Sequence, residues 1–233
     1  MTERTAGLLV PMYVHPAVDR EGWRVLARSA DRLYGVVLNV ADGPGTAPDP
    51  AFAEVAGELR EAGVRLLGYV DTGYGLRPHA AVVEDLLRYR DWYGTAGVYF
   101  DQVGAEPELL PYQRRLTVAA RALGCGTTVL GHGTHPDPGY ADPDLAELLV
   151  TFEGSWETYL ETGVERWTAD HPADLFCHLV HGVPTGRGGL AARTARLRGA
   201  GVHCAVPGSG SNPWQELPEA LREPVGAALG RLR

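Results

Sequence analysis

Eight short runs of β-branched and other apolar residues recur along this chain, and amphipathic stretches separate all but two neighbours. A continuous apolar run bounded by turn residues reads as a strand buried on both faces, and covering both faces calls for helices in the crossover connections. The runs span residues 7–14, 35–40, 65–71, 97–103, 127–131, 148–153, 175–181 and 202–207. Helical patterns fall at 20–32, 50–62, 78–93, 108–123, 156–163, 189–199 and 217–232. Three junctions repeat one design, at 61–67, 122–129 and 198–204: a helix end, a glycine, then a buried strand. Gly63, Gly124 and Gly201 stand where a left-handed helix cap or strand opening needs them.

So many strand–crossover units in 233 residues favour a closed α/β architecture, a single (β/α)8 TIM barrel over residues 1–233. Closure removes the sheet edges that an open sheet must protect. At 45% hydrophobic content the chain supports one large core and is short for two ordinary domains. A flavodoxin-like or Rossmann sheet is the alternative, but no G-x-G-x-x-G follows the first run. The glycine-rich segment 182–189 lacks the Lys-Ser/Thr of a phosphate loop.

The net charge of -8, with its basic residues all arginine and scattered, argues against a nucleic-acid surface and suits a neutral or cationic ligand. No apolar window reaches the roughly 18 residues of a membrane span. The first ten residues lack a charged region followed by a long apolar stretch, so the chain is expected in the cytoplasm. Cys125, Cys177 and Cys204 are widely spaced and form no C-x-x-C pair, which predicts reduced thiols. No metal and no cofactor are expected, because the candidate ligands do not cluster as catalytic zinc ligands do.

Barrel enzymes carry their reactive groups at the C-terminal ends of strands, and polar residues accumulate there: Tyr13 and His15, Asn39, Tyr69 and Asp71, Asp101 and Gln102, Glu153, and His181. Asp101 and Glu153 each close an apolar run, an expensive place for a carboxylate without a purpose. On the fourth and sixth strands they can share one mouth, the arrangement glycoside hydrolysis uses. The bland alternative is that each caps a helix or pairs with an arginine such as Arg77. His178 and His181, three apart on a strand, face opposite sides. His15, His132 and His181 are candidates to line the mouth, and Tyr13, Tyr69, Tyr74 and Trp214 to stack on a sugar ring; core packing is the alternative for each.

Several stretches together resemble the spherulation-specific family four, spherulin-like relatives of endo-α-1,4-N-acetylgalactosaminidases. They are Val-Pro-Met-Tyr-Val-His-Pro at 10–16, Asn-Val-Ala-Asp-Gly-Pro-Gly at 39–45, and Gly-Tyr-Val-Asp-Thr-Gly-Tyr-Gly-Leu-Arg at 68–77. Gly-Val-Tyr-Phe-Asp-Gln at 97–102, Val-Thr-Phe-Glu at 150–153 and Asn-Pro-Trp-Gln-Glu-Leu-Pro at 212–218 extend the likeness over nearly the whole chain. The resemblance implies a barrel hydrolase of α-linked amino-sugar polymers, with Asp101 and Glu153 as its required acids. Tyr13, His15, Asn39, Tyr69, Asp71, Tyr74, Arg77, Gln102, His132 and His181 are expected to bind the substrate around them.

The chain departs from the family pattern at Gln102, where the second strand-four acid is expected, and in the turn Gly-His-Gly-Thr at 131–134. An amide neither ionises nor donates a carboxyl proton. Without that neighbouring charge Asp101 is expected to ionise more readily, which leaves Glu153 as the proton donor if its surroundings are apolar. Three readings stay open: a glycoside hydrolase on amino-sugar oligomers or polymers, a non-hydrolytic sugar or metabolite binder, and a small-substrate isomerase, cyclase or lyase using the same acids.

Overall fold

The computed structural model describes residues 7–222, and in it the eight apolar runs form parallel strands closed into one barrel in chain order. These are β1 (Leu8–Met12), β2 (Leu33–Leu38), β3 (Leu66–Asp71), β4 (Gly97–Asp101), β5 (Thr127–Gly131), β6 (Leu148–Ser155), β7 (Phe176–His181) and β8 (Val202–Ala205). Leu8 of β1 pairs with His203 of β8 and closes the ring. The open-sheet alternative is thereby excluded.

The connections carry α1 (Arg20–Arg28), α2 (Pro50–Glu61), α3 (His79–Arg88), α4 (Leu110–Ala122), α5 (Trp156–Glu161) and α6 (Gly188–Leu197). Local chemistry explains where they begin and stop. Asp49 accepts the N–H groups of Ala51 and Phe52 while Pro50 supplies the first helical position, a cap that contributes about 1 kcal/mol. The pattern at 78–93 divides, since α3 passes into a π-helical turn at Tyr89–Tyr93 that ends on Gly94 with φ of 64°. The stretch expected at 217–232 begins as α7 (Glu219–Arg222), and its remainder lies outside the described residues. The crossover from β5 to β6, where no helical pattern was read, holds only a 3-10 turn at Pro138–Ala141.

Alternation along β4 turns Tyr99 and Asp101 into the barrel, but on β6 it breaks once. Val150 pairs with Cys177 and Phe152 with His178, so Thr151 is an inserted residue. A bulge of this kind reverses the facing of every residue beyond it. Phe152, which strict alternation would send inward with Val150, instead packs outside against Tyr159 of α5, ring centroids 4.7 Å apart. Glu153 turns into the mouth. The loop after β5 grips the bulge, because Gly133 donates its N–H to Val150 and accepts the N–H of Glu153, both at 3.0 Å.

Candidate active site

Glu153 and Asp101 meet above the core, and aromatic side chains hold both. The Trp214 indole N–H donates to Glu153 Oε1 at 3.1 Å, and the Tyr99 hydroxyl donates to Oε2 at 3.5 Å. The Tyr69 hydroxyl donates to Asp101 Oδ2 at 2.7 Å. Trp214 arrives on the loop after β8, which is pinned to the end of β1: Tyr13 N–H donates to the Trp214 carbonyl at 3.1 Å, and Asn212 Nδ2 to the Tyr13 carbonyl at 2.7 Å.

Burial sets the protonation of the pair. It pushes the Glu153 carboxyl up to about 7, with the charge of Asp101 adding and the bonds from Trp214 and Tyr99 opposing. Burial also raises Asp101, while the Tyr69 hydroxyl and the Gln102 N–H pull it down and Asp71 pushes it up. Asp101 is the acid of the pair that ionises first. Glu153 then keeps its proton to near neutrality, because a second charge would face the first in a medium of low dielectric. The phenols of Tyr13, Tyr69 and Tyr99 are all raised by burial and remain neutral hydrogen-bond donors.

Gly131 makes the arrangement possible. A Cβ there would stand 2.7 Å from Tyr99 Oη and 3.1 Å from Asp101 Oδ1. Gly131→Ala is therefore expected to leave the barrel folded and displace the acid pair. A circular dichroism melt alongside a carbon NMR titration of the Glu153 carboxyl checks it; a titration identical to that of the wild type would show that the pair stays in place.

Two cavities open from Glu153. The larger, about 530 Å³, is lined among others by Tyr13, Asn39, Asp42, Tyr69, His181 and Trp214. The smaller, about 460 Å³, is lined by Asp101 with Tyr74, Gln102, His132 and Thr134. Asn39 also shapes the turn beyond β2, its Oδ1 accepting the Gly43 N–H at 3.1 Å.

His15, Asp71 and Arg77 line neither cavity. His15 sits beside the start of α2, its Nε2 3.2 Å from Asp49 and its ring edge-on to Phe52 at 5.1 Å. Asp71 spends its carboxylate on the Gly73 N–H at 2.6 Å, and Arg77 donates to the Asp71 carbonyl at 2.6 Å and to Asp85 at 2.7 Å. These three organise loops, since backbone groups beyond a strand end need partners. His178 does face away from His181 and bonds the Tyr159 hydroxyl at 2.8 Å on the outside.

Sequence reasoning missed Tyr99, Asp42 and Asn212. Tyr99 was within reach, because residues two apart on a strand share a face and Asp101 fixes which one. Trp214, expected as a stacking platform, also holds Glu153 through its N–H. Among the described residues no three His, Cys, Asp or Glu side chains are grouped to hold a metal ion, and Cys125, Cys177 and Cys204 are free thiols. No helix among them is long and apolar enough to cross a membrane.

The profile of the Spherulation-specific family 4 matches residues 7–228. Spherulin-4 of Physarum polycephalum is 28% identical over 169 residues, 71% of this chain and 50% of that protein. The chain thus spans about half the length of this curated relative. Among solved structures, the deoxyribose phosphate aldolase of Aeropyrum pernix is similar with a TM-score of 0.53 and 12% identity, covering 94% of this chain and 91% of that one. The spore cortex-lytic enzyme SleL of Bacillus cereus gives 0.50 at 11% identity, over 76% of this chain and 50% of that one. At these identities the shared feature is the barrel, a fold that hosts many chemistries.

Proposed function

The chain belongs to the spherulation-specific family 4, and on that premise we propose that it is a glycoside hydrolase of chains of α-linked galactosamine and N-acetylgalactosamine. Glu153 is the proton donor and Asp101 its ionised partner. The observation that carries this reading is two carboxyls at one mouth, each held by aromatic donors, with burial and the charge of Asp101 raising Glu153 to about 7. Pairs whose environments push their protonation apart divide acid from base or nucleophile.

In the proposed reaction Glu153 gives its proton to the glycosidic oxygen as the bond from that oxygen to the anomeric carbon breaks. Asp101 faces the positive charge developing on the sugar, and either bonds the anomeric carbon or takes a proton from the attacking water. Water supplies the hydroxyl of the new reducing end and the proton that restores Glu153. Tyr13, Tyr69 and Trp214 line the larger cavity as aromatic walls for a sugar ring, and the Tyr13 phenol is left to donate to a sugar hydroxyl, since those of Tyr69 and Tyr99 are given to the carboxyls.

The test is incubation with α-1,4-linked galactosamine and N-acetylgalactosamine oligomers, read by mass spectrometry. Shorter oligomers are expected with the wild type and none with Glu153→Gln. Intact oligomers that nonetheless bind would replace this reading with the non-hydrolytic one, and an unchanged mass with rearranged sugar would point to proton-transfer chemistry.

The rate should also fall as pH rises through about 7, because only protonated Glu153 donates, and fall again in acid as Asp101 takes up a proton. A profile flat from pH 6 to 9 would remove Glu153 from the proton-donor role.

A further inference from the structure

Among the described residues the non-glycine positions with positive φ are Asp42 (50°), Tyr74 (53°) and Gln102 (50°). All three line the two cavities that meet at Glu153. Asp adopts this conformation with little strain, but for a bulky residue such as Tyr it costs on the order of 1 kcal/mol or more. It persists only where the surroundings impose it. The Tyr74 N–H and the Thr72 hydroxyl both donate to the Gln102 carbonyl at 2.8 Å, so the two strained residues brace each other at the edge of the smaller cavity.

Beyond the acid pair, the two cavities differ in charge. Asp42 stands on the lip of the larger one, on the turn that Asn39 closes, and its carboxylate has no hydrogen-bond or ion-pair partner among the described residues. Apart from the acid pair, the smaller cavity is lined by uncharged groups: the Tyr74 phenol, the Gln102 amide, the Thr134 hydroxyl and His132. His132 is only 9% exposed. Its Nδ1–H donates to the Val103 carbonyl at 3.1 Å, which leaves Nε2 as an acceptor, and Nε2 has no hydrogen-bond partner among the described residues. Burial holds that ring's pKa down at about 4, so it is neutral near pH 7. A buried acceptor without a partner is costly and is satisfied by an N–H or O–H entering the cavity.

Resting on the hydrolase reading above, we propose that the cleft has two unlike sugar sites. The Asp42 lobe takes a residue with a free ammonium group, and the lobe of Gln102 and His132 takes an uncharged, N-acetylated residue. The enzyme then selects bonds between unlike residues of a partly acetylated chain.

Calorimetry with Glu153→Gln as a non-cleaving receptor tests this on three α-1,4-linked tetramers: all-amine, all-acetylated and alternating. The alternating tetramer is expected to bind about tenfold tighter than either uniform one. Asp42→Asn should weaken the amine-bearing tetramers about tenfold more than the acetylated one, the effect of losing one charge-assisted bond. Gln102→Glu should shift preference toward the all-amine tetramer. Equal affinity for all three, or an Asp42→Asn loss independent of acetylation, would overturn the proposal while leaving hydrolysis intact. Discrimination without wild-type cleavage would sink the hydrolase reading alone, and failure to bind any tetramer would sink both.

Discussion

Glu153→Gln is expected to lower kcat by about 10² to 10⁴, the range supplied by a positioned general acid, and to make the protein more stable above pH 7. The amide keeps the shape and can still accept the Trp214 N–H, but it has no proton to give. The stability effect follows from linkage. The carboxyl sits at about 7 when folded against an ordinary 4.5. Between those values the folded state binds more protons than the unfolded state, so stability falls as pH rises and stays reduced above 7. Burying this charge costs on the order of 3 kcal/mol at pH 8. Removing it should raise the melting temperature by several degrees at that pH, with the difference vanishing below about pH 4.5. Loss of activity with loss of stability at every pH would mark Glu153 as a structural residue.

Asp101→Asn is expected to cost a similar factor in kcat, since the charge facing the developing cation is gone. It has a second consequence that a merely structural residue would not produce. The charge of Asp101 is one of the causes that raise Glu153, so its removal should let Glu153 ionise at lower pH. The residual activity should then fall away at a lower pH on the basic side than in the wild type. An unmoved basic limb would mean that the two carboxyls do not sense each other.

The fold was legible because it rests on periodicity. Apolar runs of strand length, glycine at 63 and 124, and the Asp49-Pro50 helix start are local signals, and tertiary packing reinforces each of them. The site was legible in part. Asp101 closes a regular strand, and its inward direction follows from simple alternation. Glu153 was found as the acid at the end of an apolar run, yet alternation from Val150 would have pointed it outward. What turns it inward is the insertion at Thr151, fixed by Phe152 packing against α5 and by Gly133 closing on the strand. Nothing within the run itself announces that bulge. The contact of Trp214 with Glu153 joins residues 61 apart in sequence, through a loop that only the closed barrel brings home. Asp71 ends β3, and His15 and Arg77 lie in the loops beyond β1 and β3, places that look like site positions, but loop backbone and neighbouring carboxylates claim their polar groups.

The most direct measurement is a carbon NMR titration of the Glu153 carboxyl, assigned by its disappearance in Glu153→Gln and followed in the wild type and in Asp101→Asn. A midpoint of about 7 in the wild type that falls when Asp101 is replaced is the expected result. A midpoint near the ordinary 4.5 in both proteins would contradict the account, because Glu153 would then hold no proton to donate.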